Sequence, residues 1–134
     1  MKKNNITWKN FGNLISYLER EIKKDPRFKQ IKNVYGIPRG GLVIALCLSH
    51  KFEIPLILDP KNITEHTLVV DDISDTGETF KKIVGNTKVL TAALFQSPDT
   101  KFKVNFFAEY KFDNWIQYPW ELKTSKLEKN NTIK

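Results

Sequence analysis

One stretch limits what this chain can fold into more than any other: Leu68-Val69-Val70-Asp71-Asp72-Ile73-Ser74-Asp75-Thr76-Gly77-Glu78-Thr79-Phe80. A β-branched apolar run reads as a buried strand. It ends in two carboxylates, then passes through Ser, Asp, Thr and Gly into a segment able to start a helix. In open α/β sheets, ligands bind beyond the carboxyl ends of the strands, so chemistry belongs at this loop. Successive strand side chains point to opposite faces, so a straight strand lets only one of Asp71 and Asp72 face a ligand. The other would brace the loop. Ser74, Thr76 and Thr79 offer hydroxyls, and the backbone around Gly77 offers N–H groups, a combination suited to phosphate at the mouth of a helix. The plain alternative is a buried strand that ends in an Asx-type turn and an N-capped helix.

The elements on either side fit the same architecture. Thr7 is a candidate N-cap, followed by Trp8, Phe11, Leu14, Ile15, Leu18 and Ile22 at helical spacing, with Asp25-Pro26 as the stop. A short strand is expected over 31–36, an apolar helix over 42–51, and a second strand over 54–58. After the central motif come a helix over 80–84 stopped by Gly85-Asn86, and strands over 88–95 and 102–108. Strands alternating with helices predict a parallel sheet with right-handed crossovers. Between the first strand and its helix lies Ile37-Pro38-Arg39-Gly40-Gly41. Its paired glycines permit close backbone approach to a ligand, and Arg39 presents a fork of donors suited to phosphate. It is neither a Walker A loop nor a dinucleotide fingerprint.

Length and composition bound the rest. With 134 residues, 40% of them hydrophobic, the chain is one folded domain and not a disordered polymer. A net charge of +7 favours anionic partners without choosing among phosphorylated metabolites, nucleic acid and acidic surfaces. No Arg-rich or recognition-helix pattern points to nucleic acid. A single Cys47, inside an apolar run, excludes an intrachain disulfide and reads as a small buried hydrophobe. His66 reads as a surface loop residue. The N-terminus is polar and the apolar runs are short, so the expectation is a cytoplasmic protein without a membrane span.

The thirteen-residue stretch resembles the PRPP-binding signature of type I phosphoribosyltransferases: aliphatics, two acids, and a Ser/Thr/Asp-Thr-Gly-x-Thr loop. The Arg39-Gly40-Gly41 turn, placed ahead of it, resembles the pyrophosphate loop of the same family. Trp115-Ile116-Gln117-Tyr118-Pro119-Trp120-Glu121 looks like the C-terminal hood of the xanthine-guanine (6-oxopurine) branch, and Ile6-Thr7-Trp8 is similar to its opening. Aromatics there could also simply seal the core. The resemblance implies the type I phosphoribosyltransferase fold: a mainly parallel twisted α/β sheet between helices, with a small hood. It implies a single domain over 1–122, the hood coming from about 1–8 and 110–122, followed by a solvated basic tail over 123–134.

The activity implied is transfer of ribose 5-phosphate from PRPP to N9 of guanine, xanthine or hypoxanthine, with release of pyrophosphate, as in purine salvage. Carried over residue by residue, Asp71 and Asp72 would hold the ribose hydroxyls directly or through Mg²⁺. Asp75 would act as general acid/base toward the purine N7 and contribute to PRPP binding. Ser74, Thr76, Gly77, Glu78 and Thr79 would cradle the 5-phosphate, and Arg39, Gly40 and Gly41 would take the pyrophosphate. Trp115 and Ile116 would contact the base. A non-proline cis peptide is expected at Pro38–Arg39, and a homo-oligomer (dimer or tetramer) is implied.

Two departures stand out. The family's purine site usually carries a Lys after the strand preceding the hood, where this chain reads Leu94-Phe95-Gln96-Ser97-Pro98; Gln96, Ser97 or Lys101 would have to substitute. The long mobile loop that closes over PRPP is reduced to Asp59–His66. Eight residues going out and back reach roughly 13 Å, enough for a turn and too little for a lid. Both departures keep a second reading open: a non-catalytic PRPP- or nucleotide-binding regulator on the same fold.

Overall fold

The computed structural model describes residues 2–112 and 114–121. The tail expected over 123–134 lies outside them. Five strands form one parallel sheet in the order β3 (Leu56–Ile57), β2 (Asn33–Gly36), β4 (Thr67–Ser74), β5 (Leu90–Gln96), β6 (Phe106–Tyr110). The sheet thus carries the apolar run of the central motif in the middle, where both faces are covered. Pleating sends Leu68 and Val70 to one core cluster and Val69 to the other, and all three are fully buried.

Three helices close the two faces. α1 (Trp8–Lys24) starts at Thr7, whose hydroxyl accepts the Asn10 N–H at 3.0 Å, so one orphan donor of the first turn is satisfied. Phe11, Ile15, Leu18 and Ile22 are its buried stripe, as the spacing predicts; Trp8 is 60% exposed instead, because it stands on the first turn and leans on Trp120. α2 (Gly41–Phe52) buries Ile44, Ala45 and Leu48 in the same cluster, and burial pushes the half-buried Cys47 thiol upward, as befits a packing residue. α3 (Glu78–Val84) covers the opposite face through Phe80 and Val84.

Two strand boundaries differ from expectation, and both for tertiary reasons. Residues 102–105 are not strand. Phe102 turns to stack on Phe80 at 5.2 Å, the Val104 N–H donates to the Gln96 side chain, and the Asn105 side chain accepts the Thr91 N–H. β6 therefore starts at Phe106 and runs to Tyr110. β3 shrinks to Leu56–Ile57, although the Pro55 carbonyl accepts the Val34 N–H just before it. The Asp59–His66 connection is compact: a 3-10 turn at Pro60–Asn62, then a bend closed by the Thr64 N–H on the Thr67 hydroxyl.

A second sheet, of two parallel strands, joins the chain ends. β1 (Lys2–Asn5) pairs with β7 (Asn114–Gln117) in register Asn4 to Ile116. Just beyond β7, Tyr118 is 1% exposed, stacks on Trp120 at 4.7 Å, and donates its O–H to the Asp72 carbonyl at 3.2 Å. The hood is thereby tied to the strand bearing the two acids. Among the described residues no helix is long and apolar enough to cross a membrane.

Burial, with Asp72, Asp71 and Glu121 nearby, holds the Tyr118 phenol well above its ordinary value. The unfolded chain releases that proton near pH 10 whereas the folded chain retains it, so this group's contribution to stability is constant below about pH 10 and falls above it. Urea midpoints at pH 8 and pH 11 should drop more in the native protein than in Tyr118→Phe. At pH 8 the variant should lose about 0.5–1.5 kcal/mol, the net worth of one hydrogen bond.

Candidate active site

β2 ends at Gly36, paired with Val70, while β4 runs four residues further. Past Val70 the β2 side of β4 is therefore open, and a cavity of about 780 Å³ lies there. Pro38, Arg39 and Gly40 form one wall; Glu78, Thr79 and Lys81 form the other. Both Asp71 and Asp72 line it, which corrects the expectation that only one would face a ligand. The pleat still alternates, but with no neighbouring strand at this edge both side chains can lean into the same space. Each carboxylate is oriented by the next residue's backbone: the Asp72 N–H donates to Asp71 at 2.8 Å, and the Ile73 N–H to Asp72 at 2.9 Å.

The paired glycines serve an approach of protein to protein. A Cβ on Gly41 would lie 2.5 Å from the Val70 carbonyl oxygen, and one on Gly40 would lie 2.6 Å from the Asp72 carboxylate. Their bare backbones let the Arg39 loop close onto the strand end and bring Arg39 and the acids to one cavity. The Pro38–Arg39 peptide is cis, as expected.

The β4–α3 loop turns at Gly77, whose φ of +92° suits a residue without Cβ. Glu78 and Thr79 reach the cavity from the first turn of α3, where backbone N–H groups have no intrahelical acceptor. Thr76 is exposed and accepts the Glu78 N–H on its hydroxyl at 3.3 Å. Ser74 departs from its expected place in the phosphate cradle. It belongs to β4, is 1% exposed, and spends its hydroxyl on the Phe102 carbonyl at 2.8 Å and the Thr100 hydroxyl at 3.2 Å. It braces the loop from beneath. The Ser97 N–H to the Ser74 carbonyl, the Lys101 N–H to the Thr76 carbonyl, and Phe102 against Gly77 complete that brace.

Asp75 stands to the side of the cavity, over the carboxyl ends of β5 and β6. Its carboxylate accepts the Ser97 hydroxyl at 2.5 Å and lies 3.7 Å from the Lys111 ammonium. Gln96 is occupied, its side chain accepting the Val104 N–H, and Lys101 is exposed. Trp115 and Ile116 lie on opposite faces of β7: Ile116 joins the main core with Tyr118, and Trp115 is half-buried. Sequence reasoning missed Lys81 and Lys82 in the cavity wall, though both stand one turn past the phosphate loop, where a cation facing a phosphate could have been sought. It also missed Lys111 and Tyr118, which no spacing signals.

The donor set suits one kind of metal. Among the described residues no group of three or more His, Cys, Asp or Glu could hold an ion by itself. Two adjacent carboxylates fit Mg²⁺, which binds through one or two carboxylates and completes its shell with water and substrate phosphates.

A parallel sheet with its acids at the end of the central strand, faced by an Arg-Gly-Gly loop and a Thr-Gly-Glu-Thr loop, is the architecture of the type I phosphoribosyltransferase fold. Several of the proteins that this chain is similar to are named as purine phosphoribosyltransferases. It is 24% identical to the xanthine-guanine phosphoribosyltransferase of Vibrio atlanticus over 147 aligned positions, covering 94% of each protein. That alignment is longer than the 134 residues of this chain, so the relative carries segments absent here. Among solved structures, the purine phosphoribosyltransferase of Pyrococcus horikoshii superposes with a TM-score of 0.75 at 26% identity, over 92% of this chain and 97% of that one. The xanthine-guanine-hypoxanthine phosphoribosyltransferase of Helicobacter pylori matches with a TM-score of 0.73 at 20% identity, over 97% and 99%. No protein-family model matches the chain.

The contact of Gly41 with β4 backbone gives a direct test. Gly41→Ala forces the strand end and the Arg39 loop apart, which should cost about 1–3 kcal/mol in chemical denaturation. Calorimetric titration should show weakened PRPP binding alongside.

Proposed function

We propose that this protein transfers ribose 5-phosphate from PRPP to N9 of a 6-oxopurine, releasing pyrophosphate. The observation that carries the reading is the pairing of two oriented carboxylates with two glycine-bearing loops around one cavity, of a size usual for small-ligand sites. In this reading Glu78, Thr79 and the backbone of Thr76–Gly77 take the 5-phosphate, with Lys81 and Lys82 supplying charge. Arg39, Gly40 and Gly41 take the pyrophosphate, and Asp71 and Asp72 hold the ribose hydroxyls. Mg²⁺, when bound, would sit at Asp71 and Asp72 and offset the charge of the leaving pyrophosphate.

The C1′–O bond to pyrophosphate breaks as the C1′–N9 bond forms. Asp75 faces the purine N7 and handles the proton that the base must give up. Ribosyl cation character at C1′ and charge on the leaving group make positioning and electrostatics the main sources of acceleration. Trp115 supplies an aromatic ring toward the base. The two chain ends form the hood of a single domain over 1–122. Leu46 and Leu58, 58% and 71% exposed beside the edge strand β3, support a homo-oligomer in which a second copy covers them. Chemistry on phosphorylated metabolites suits the cytoplasm.

Incubation with PRPP, Mg²⁺ and each of guanine, xanthine and hypoxanthine, with pyrophosphate and nucleotide both measured, tests the activity. Equal amounts of the two products are expected. Binding of PRPP with no nucleotide from any base would overturn it in favour of a regulator. Asp75→Asn keeps the shape and removes the proton-transfer group, so turnover should fall about 10²–10⁴-fold with PRPP binding retained in calorimetry.

The compact Asp59–His66 connection generates a further expectation. Lids exclude water and commit substrate, so this open site should turn over below about 10 s⁻¹, a median enzyme rate. It should also release some pyrophosphate from PRPP without base. Ordinary turnover by a monomer, with no such leak, would remove the lid argument.

A further inference from the structure

We propose that the groove between α1, β1 and the outer edge of β6 is a second ligand site, built for a nucleoside monophosphate with a 6-aminopurine base.

The groove encloses about 640 Å³, within the range usual for small-ligand sites, and shares no lining residue with the cavity at Asp71 and Asp72. One wall is the face of α1 that carries Asn10, Asn13, Tyr17 and Arg20, whose spacing puts them in line along the helix. From first to last they span about 15 Å at 1.5 Å per residue. The opposite wall is β1 at Asn4 and Asn5, with β6 at Ala108 and Glu109. β6 is the last strand of its sheet. Alternation along it turns the backbone N–H and C=O of one of those two β6 residues outward, where no strand takes them.

Few of these groups are spent inside the protein. The Asn10 side-chain oxygen accepts the Thr7 hydroxyl at 2.8 Å, which fixes the amide and leaves its NH₂ to donate elsewhere. Among the described residues, the side chains of Asn13, Tyr17 and Arg20 make no hydrogen bond or ion pair. The acids that flank Arg20 are committed to lysines: Glu19 to Lys23 and Lys51, Glu21 to Lys24. Arg20 is thus an uncompensated cation. Arg27, just past α1, lies 5.9 Å over the Phe106 ring at the start of β6, so α1 and β6 run in opposite senses. Asn10 and Asn13 therefore belong with the later part of β6, and Arg20 with the opposite end of the groove.

Along α1 the order is carboxamide, apolar and aromatic surface, cation. That order matches a molecule with a hydrogen-bonding edge, a flat ring and an anion, as a nucleoside monophosphate is. The chemistry of the base edge then selects the base. A carboxamide pairs bidentately with adenine, donating to N7 and accepting from the N6 amino group; guanine offers it two acceptors, N7 and O6. An outward strand edge presents an N–H beside a C=O, which suits the N1 acceptor and N6 donor of adenine in the same way. Asn13 reads the base, Leu14 and the exposed Tyr17 lie under its ring, and Arg20 holds the phosphate.

Calorimetric titration of the full chain with AMP, under saturating PRPP and Mg²⁺, tests the site. One AMP per chain is expected, with GMP about tenfold weaker or more. Arg20→Gln should weaken AMP about tenfold and leave adenosine, which lacks the phosphate, within about twofold. Asn13→Ala should weaken AMP and adenosine alike and bring the AMP-to-GMP ratio toward one. Both side chains are exposed, so neither change should move the melting temperature. AMP is not a product of 6-oxopurine transfer, so these outcomes stand whether or not the protein makes nucleotide. No AMP binding at millimolar concentration overturns the proposal. So does displacement of AMP by PRPP, or an Arg20→Gln variant that binds AMP as the native protein does.

Discussion

The site depends on how closely the β2–α2 corner packs against β4. A Cβ on Gly36 would come within 2.5 Å of the Gly41 carbonyl oxygen, and a Cβ on Gly41 within 2.5 Å of the Val70 carbonyl oxygen. Three backbone segments meet there with no room for side chains. Because interiors are as dense as organic crystals, such a contact cannot be loosened locally without moving what lies above it. What lies above it is the Arg39 loop and the two carboxylates. Steric closeness in the scaffold is thus converted into opposed charges across a cavity.

The far side of β4 is held by different means. Polar bonds dominate: Ser74, Thr100, the Phe102 carbonyl and the Ser97 N–H form a continuous set beneath the β4–α3 loop. Stacked Phe80 and Phe102 seal it from solvent. The loop expected to bind phosphate is therefore not a free turn; the β5–β6 connection predetermines its shape. The Tyr118 hydroxyl does the same service for the Asp72 carbonyl from the hood, so the strand end is gripped from three directions. Preorganisation of this kind suits chemistry that works by positioning and electrostatics.

The net charge of +7 is distributed to match. Arg39, Lys81 and Lys82 ring a cavity whose floor carries Asp71 and Asp72, an arrangement of both signs that fits a polyanion bearing hydroxyls better than an anion alone. The connection after β3 is compact, and no residue of 59–66 lines that cavity.

Local order was legible in the sequence because it is decided by local physics. Thr7 capped its helix, the apolar run of β4 was buried, and Gly85 ended α3, each for reasons contained within a few residues. The type of sheet followed from alternation, and the candidate site from the acids and glycines that end its central strands. Tertiary structure alone decided which side chains share a space. Asp71 and Asp72 both reach the cavity because β2 stops short of them. Ser74 leaves it because a carbonyl 28 residues away claims its hydroxyl. Residues 102–105 lose their strand because Phe80 and Gln96 offer better partners. Lys111 meets Asp75 across β5, and Tyr118 meets Asp72 across two sheets, only because segments far apart in sequence fold together. Periodicity reports what a residue does to its own segment; contacts across the sheet have no period to read, and they assign the roles.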